Sequence, residues 1–344
     1  MTTAKFRDQF LDIAKGLAII LVVVGHVLQG SAERFDDLFW FRVIYSFHMP
    51  MFVFLSGAVA AIVFVPEKIQ DGIGAAIHQA QLKISKAAIR LLLPFVAWCI
   101  INQLIFQQSE SVWTALILAF RRPDTALWFL LAIFYCITLF SLATVLFAGI
   151  FQLLKKMNSE SLKDLVADGR VQIALLIFLW WGLREHTPRG AGLSLLRPYF
   201  IYYLLGIGFY KYLFPRMEIW KYLLMGAIFI ALIPFWDRVA PNNFSNNQII
   251  TLIPEQVIYF YAGIVAICGT FLMLSVAKRI STSRLGLTRK FLVLCGQLSL
   301  GIYALHYFFL PFSPKVFAPL VISVVIAYAI NKTPILRTVL LGER

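Results

Sequence analysis

The stretch 15-KGLAIILVVVGH-26 places a lysine and a histidine at the ends of a run of ten residues that carry no charge. Its apolar flanks extend the run over 11–29, and a bilayer core about 30 Å thick needs about 20 helical residues. An ionisable side chain inside such a segment is costly and usually faces the protein interior or a wet cavity. The stretch therefore predicts a transmembrane helix with a polar, functional edge.

The composition predicts a polytopic, all-α membrane protein. Of the 344 residues, 60% are hydrophobic, 15% are aromatic and only 14% are charged, whereas soluble domains carry about 25% charged residues. The net charge of +14 is explained by the excess of Lys and Arg in cytoplasmic loops. We therefore expect no nucleic-acid partner.

The hydropathy pattern predicts ten transmembrane spans in one membrane domain over 1–344, with no appended soluble domain. If the N-terminus is cytoplasmic, 22 of the 31 Lys and Arg residues lie inside and nine lie outside, as the positive-inside rule requires. Both termini are therefore predicted to be cytoplasmic. The predicted spans are 11–29, 42–64, 88–107, 126–150, 171–184, 194–213, 218–236, 250–276, 290–311 and 314–331.

The four cysteines are predicted to be buried packing residues rather than metal ligands or disulfide partners. Each lies inside an apolar run, and their spacing fits neither a metal site nor a disulfide framework. We expect small buried side chains and no metal site. These residues are Cys99, Cys136, Cys268 and Cys295.

Lys15 and His26 are predicted to share one face of the first helix. A helix advances about 100° and 1.5 Å per residue, so eleven steps bring both side chains to one edge, about 16 Å apart along the axis. Asp12 lies three residues before Lys15, within reach of an ion pair. Two interpretations are open: Lys15 holds an anionic group and His26 acts as a base, or Lys15 snorkels and His26 bonds another helix.

Two further histidines are weaker candidates. His48 precedes a proline at the outer start of the second span, where it orients a substrate or lies in the interface. Ser299, Tyr303 and His306 share a helical stripe, which predicts polar packing, with a substrate contact by His306 as the alternative. Gly57 in the second span offers close helix packing.

A cytoplasmic group of cations, Lys83, Lys86 and Arg90, precedes Pro94. It has two interpretations: a phosphate-binding patch, or a marker of topology alone. No Walker loop, dinucleotide fingerprint, zinc-protease or hydrolase motif occurs in the sequence, so kinase, hydride-transfer and metalloprotease functions lack a basis.

The chain resembles the acyltransferase-3 family of bacterial integral-membrane O-acyltransferases. The resemblance covers nearly the whole chain in the expected order, and the Lys-x10-His and FHMP motifs are its most specific parts. The matching stretches are 12-DIAKGLAIILVVVGH-26, 47-FHMPMFVFLSG-57, 90-RLLLPF-95, 127-LWFL-130, 199-YFIYYLLGIGFY-210 and 299-SLGIYALH-306.

This resemblance implies ten core helices in the bacterial inner membrane. It also implies transfer of an acyl group, commonly acetyl, from cytoplasmic acetyl-CoA to a sugar hydroxyl of an exopolysaccharide or lipid-linked precursor. Lys15 and His26 match the essential motif pair, with His26 as general base or acyl relay. Lys83, Lys86 and Arg90 are the donor-binding candidates. The family's basic-x-x-basic pair fits Lys83 and Lys86 by spacing. Arg90 lies four residues beyond Lys86, so which two of these residues correspond to the family's pair stays open.

On the acceptor side the candidates are His48, Trp128 and His306. Acetyl-CoA is expected as a substrate, with no permanently bound cofactor; the other expected partners are the glycan acceptor, membrane lipid and polysaccharide assembly machinery. The alternative function is a transporter or flippase of a saccharide or lipid intermediate. Transporters often contain matched repeat halves with broken helices, and no such pairing is evident. Nothing favours a third class, a membrane sensor of CoA or sugar.

Overall fold

The computed structural model describes residues 8–106, 111–121, 127–188, 190–238 and 255–343. Within these ranges the secondary structure consists of helices and turns, without a strand. The predicted all-α class is confirmed. The remaining parts of the predicted spans that fall in the gaps, chiefly the start of 250–276, lie outside the described residues.

Sixteen α-helices follow one another along the described residues. The first eight are α1 (Gln9–Gln29), α2 (Phe39–Tyr45), α3 (His48–Ala61), α4 (Ile73–Ala87), α5 (Leu93–Phe106), α6 (Val112–Arg121), α7 (Trp128–Lys156) and α8 (Glu160–Ala167). The others are α9 (Gly169–Leu183), α10 (Leu196–Gly208), α11 (Ile219–Leu232), α12 (Glu255–Thr282), α13 (Gly286–Gln297), α14 (Ser299–Phe309), α15 (Phe317–Lys332) and α16 (Pro334–Leu341).

Six helical stretches of the described chain are long and apolar enough to cross a membrane, and eight are if two bent pairs each count as one span. The bends are 79° between α8 and α9 and 87° between α13 and α14. Two shorter apolar helices are Ile219–Phe235 and Phe317–Lys332. The membrane-spanning character is confirmed, whereas the count of ten spans and the cytoplasmic termini stay predictions.

Two predicted spans have a different shape in the structure. The span predicted at 88–107 belongs to a longer helical stretch, Ile73–Asn102, which passes through a π-helical segment at Ala88–Leu92. The span predicted at 290–311 is broken at Leu298. Average hydropathy shows neither feature, because each one lies in a stretch that is apolar enough as a whole to pass for one span.

The described helices divide into two compact units, each built from two separate parts of the chain. Unit one contains Met1–Leu55 and Phe214–Tyr328, and unit two contains Ser56–Leu213 and Ala329–Arg344. Each unit has its own close helix packing. The organisation of 1–344 as one functional domain stays a prediction.

Unit one depends on close contact between α1 and α13. A Cβ on Gly16 would overlap the backbone carbonyl of Leu292, and a Cβ on Gly296 would overlap that of Asp12. Helices approach each other this closely only where small residues face the partner backbone. The two reciprocal contacts fix α1 against α13 at the level of Asp12 and Lys15.

Unit two has a comparable contact between α3 and α10, where a Cβ on Gly57 would overlap the carbonyl of Tyr203. The predicted packing role of Gly57 is confirmed. The C-terminal helix α16 is held to α5 by a 2.9 Å hydrogen bond from Trp98 Nε1 to the Leu340 carbonyl. All four cysteines are buried free thiols, as predicted.

Candidate functional site

A single unbroken helix carries both Lys15 and His26. Helix α1 begins after Asp8, whose carboxylate accepts a 2.8 Å hydrogen bond from the Phe10 backbone N–H, and it continues to Gln29. Because no break separates the two side chains, the regular helical geometry that places them on one edge applies. The predicted arrangement of the motif pair on one helix is confirmed.

At the Lys15 end of α1, the lysine ammonium is paired with a carboxylate. Lys15 Nζ lies 2.9 Å from Asp12 Oδ1, and Gln297 Nε2 donates to Asp12 Oδ2 at 3.4 Å. Asp12 is only 3% exposed. The predicted ion pair is confirmed, and it means that an anionic ligand must compete with the Asp12 carboxylate for the Lys15 ammonium.

The His26 end of α1 is surrounded by polar groups of the protein. His26 Nδ1 lies 3.2 Å from Gln29 Oε1, and the Tyr45 hydroxyl donates to the same oxygen at 3.0 Å. The Tyr307 hydroxyl lies 2.8 Å from His26 Nε2 and 3.2 Å from Nδ1. The imidazole therefore has a polar partner at each nitrogen.

His306 brings a second imidazole to this place. Its ring centroid lies 5.2 Å from that of His26, and the residue is fully buried. Its Nδ1 lies 3.1 Å from the Ile302 carbonyl oxygen, which only accepts hydrogen bonds, so Nδ1 carries the proton and Nε2 keeps a lone pair. That buried Nε2 has no hydrogen-bond partner among the described residues.

His48 is held in the same way at the start of α3. Its Nδ1 lies 2.9 Å from the Ile44 carbonyl oxygen, and its ring lies 4.6 Å from the Tyr45 ring. Three of the five histidines of the chain therefore meet in unit one. We call this group the His26 cluster; it consists of His26, Gln29, Tyr45, His48, His306 and Tyr307.

Local sequence explains how these side chains come together. Gly25 lets the Tyr45 ring approach α1, because a Cβ at this position would lie 2.9 Å from Tyr45 Cε2. The 87° bend between α13 and α14 starts the segment that carries His306 and Tyr307. Among the described residues, no group of three or more His, Cys, Asp or Glu side chains is placed to hold a metal ion.

The cluster offers basic nitrogens beside hydroxyl donors, a combination suited to moving a proton from a hydroxyl group. Across residues 8–341 the chain matches the family model described as an acyltransferase domain. The chain belongs to the acyltransferase-3 family. The resemblance inferred from the sequence motifs is therefore confirmed.

Two curated relatives share part of the chain. Nodulation protein NolL of Mesorhizobium japonicum is 32% identical over 147 residues, which are 40% of this chain and 36% of that protein. Nodulation protein NolL of Sinorhizobium fredii is 34% identical over 161 residues, 44% of this chain and 40% of that protein. The chain thus aligns with well under half the length of each relative. No solved structure matches it.

In this acyltransferase-3 chain the predicted donor-side cations lie in unit two, on the long helical stretch that includes α4. Lys83 is half-buried, while Lys86 and Arg90 are exposed. Arg90 lies within the π-helical segment Ala88–Leu92, and such segments are frequent at functional sites. A Cβ on Gly342 would overlap the Arg90 carbonyl, so the end of the chain packs directly on this segment.

Trp128, the third acceptor-side candidate, also lies in unit two, at the start of α7. Its ring is stacked on that of Tyr199, with a centroid separation of 5.1 Å and an interplanar angle of 28°. One aromatic face is therefore covered within the protein, and a sugar ring would have to use the other.

Sequence reasoning did not find Gln29, Tyr45 or Tyr307. Gln29 lies three residues after His26, a spacing that places both on one helix face, so it was accessible to prediction. Tyr45 and Tyr307 reach His26 from other helices, and Tyr307 is 281 residues away in sequence. Only tertiary structure brings these hydroxyls to the imidazole.

Proposed function

We propose that this chain is an integral-membrane O-acyltransferase of the bacterial inner membrane. It moves an acetyl group from cytoplasmic acetyl-CoA to a sugar hydroxyl of an exopolysaccharide or a lipid-linked saccharide precursor. Family membership and the apolar helices support a membrane acyltransferase. The donor, the acceptor and the roles of individual residues are our proposal.

The observation that carries the proposal is the Tyr307 hydroxyl, 2.8 Å from His26 Nε2. It supports the proposal because a hydroxyl group has room beside this nitrogen at hydrogen-bond distance, which a general base requires. The acceptor hydroxyl would take the place of the Tyr307 hydroxyl. General base catalysis by a positioned side chain typically contributes 10²–10⁴-fold to the rate. An acceptor hydroxyl held at the same distance would be ready to lose its proton.

The proposed reaction uses His26 as the base. His26 takes the proton of the acceptor hydroxyl, and the oxygen attacks the thioester carbonyl carbon of acetyl-CoA. The carbon–sulfur bond then breaks, and the leaving CoA thiolate takes the proton from the imidazolium. An acyl-histidine relay, in which His26 first accepts the acetyl group, is the other route to the same products.

Donor binding is assigned to the cations predicted from the sequence. The phosphates of CoA suit Lys83, Lys86 and Arg90, because ammonium and guanidinium groups form strong charge-assisted hydrogen bonds with phosphate oxygens. Lys15, in unit one, is assigned separately to an anionic group of the donor, which would replace Asp12 as its partner. On the acceptor side, His48, His306 and Trp128 are assigned to the saccharide.

The experiment that tests this function uses the purified chain in lipid vesicles with acetyl-CoA and a saccharide acceptor. We expect free CoA thiol and acetylated saccharide to appear in equal amounts and only when both substrates are present. If the protein instead moves a saccharide or lipid across the vesicle membrane while acetyl-CoA stays intact, the proposal is wrong and the transporter alternative is correct.

A further inference from the structure

Gln29 makes the contact that decides which nitrogen of His26 is the base. His26 Nδ1 has three polar neighbours: Gln29 Oε1 at 3.2 Å, the Tyr307 hydroxyl at 3.2 Å and the Tyr45 hydroxyl at 3.4 Å. The Tyr45 hydroxyl donates its proton to Gln29 Oε1 at 3.0 Å, and the Tyr307 hydroxyl lies closer to Nε2, at 2.8 Å. An amide oxygen accepts hydrogen bonds and never donates them. His26 Nδ1 must therefore carry the proton in this arrangement.

The consequence lies on the other side of the ring. In a neutral imidazole one nitrogen carries the proton and the other keeps a lone pair. With the proton on Nδ1, the lone pair is on Nε2, where the Tyr307 hydroxyl lies at 2.8 Å. Gln29 therefore directs the basic nitrogen toward the position that a reacting hydroxyl would take.

We propose that Gln29 is a positioning residue that fixes the His26 tautomer, and that the Tyr45 hydroxyl holds the Gln29 side chain in place. This inference rests on the proposed function, since it assigns a task to Gln29 only if His26 is the base. The arrangement serves the same purpose as the acid that orients the histidine of a hydrolase triad, but with a neutral amide in place of a carboxylate.

A neutral orienting group has a chemical signature. An amide fixes the ring without adding a negative charge, whereas a carboxylate would also stabilise the protonated imidazolium. Changing Gln29 to Glu should therefore keep the orientation and alter the pH dependence. The titratable groups around His26 are Tyr45 on α2, His48 on α3, and His306 and Tyr307 on α14. The charges of Asp36 and Arg238 interact electrostatically with Tyr45.

The test compares Gln29→Met with Gln29→Glu. The methionine side chain is similar in length to that of glutamine but lacks the amide oxygen that accepts the hydrogen bond. For Gln29→Met we expect kcat to fall by about 10–100-fold, as for other groups that orient a functional histidine, with an unchanged KM for acetyl-CoA. For Gln29→Glu we expect most of the activity at high pH, with the acidic limb of the pH–rate profile moved up by about one pH unit. Gln79→Met, at an exposed position on α4, is the control for loss of a glutamine.

The possible results separate the two levels of the argument. If Gln29→Met keeps wild-type kcat while His26→Ala is inactive, the role of Gln29 is wrong and the proposed function stands. If Gln29→Met and Gln29→Glu lower kcat equally, and the residual activity of both keeps the wild-type pH profile, Gln29 is only structural and the inference is overturned. If His26→Ala is itself active, the proposed function fails first. Thermal unfolding of each variant checks that the fold is retained.

Discussion

Replacing Gly16 by alanine tests the contact that fixes α1 against α13. The new Cβ would lie 3.2 Å from the Leu292 Cα and 2.9 Å from its carbonyl carbon, with the oxygen closer still. These are backbone atoms, so the two helices must separate by on the order of 1 Å, since interiors are close-packed. Inserting a methylene into a packed core costs about 1–3 kcal/mol, and we expect the upper end here.

A loss of about 3 kcal/mol corresponds to a change of about 100-fold in the ratio of folded to unfolded protein. The measurement is the free energy of unfolding in mixed micelles titrated with a denaturing detergent. Gly286→Ala is the matched control, because Gly286 begins α13 and a Cβ there meets nothing within 4 Å. Equal unfolding free energies for the two variants, within about 0.5 kcal/mol, would refute the close contact between α1 and α13.

Two further predictions concern groups near the His26 cluster. The Arg238 guanidinium donates to both carboxylate oxygens of Asp36, at 2.7 and 2.8 Å, and these hydrogen bonds lower the pKa of Asp36. The ion pair therefore stabilises the fold fully above the unfolded pKa of about 3.9 and loses this effect as the pH falls through the lowered pKa. The difference in thermal midpoint between wild type and Arg238→Gln should shrink below about pH 4, and a constant difference from pH 7 to pH 3 would contradict this. Tyr307→Phe removes the hydroxyl whose place beside His26 Nε2 the acceptor hydroxyl would take, so kcat should change by less than about 10-fold, the effect of one hydrogen bond; a loss of about 100-fold or more would contradict this assignment.

The first helix illustrates what the sequence predicts well. Its apolar run, the acidic residue in its first turn and the i, i+3 pair of Asp12 and Lys15 are all local features. Local features predict local structure, so the helix Gln9–Gln29 and its 2.9 Å ion pair follow from residues that are close in sequence. The same reasoning would have found Gln29 beside His26.

The bend between α13 and α14 illustrates what the sequence does not predict. Gln297 and Ser299 flank Leu298, but the stretch as a whole is apolar enough to pass for one continuous span, although the structure turns there by 87°. That turn begins the segment that carries Tyr307 and His306 to His26. Because these contacts join residues far apart in sequence, no helical periodicity encodes them, and the polar stripe through Ser299 and His306 gave no sign of the partner imidazole.

The most direct test of the account is the acetyl content of the cell-surface saccharide in cells that carry His26→Gln in place of the wild-type chain. His78→Gln is the matched control, since His78 is exposed on α4 in unit two and lies outside the His26 cluster. With equal amounts of membrane-inserted protein, we expect NMR of the purified saccharide to show acetyl groups in the control and a loss of at least about 100-fold in His26→Gln. Undiminished acetylation in the His26→Gln cells would contradict the role of His26 as the group that activates the acceptor.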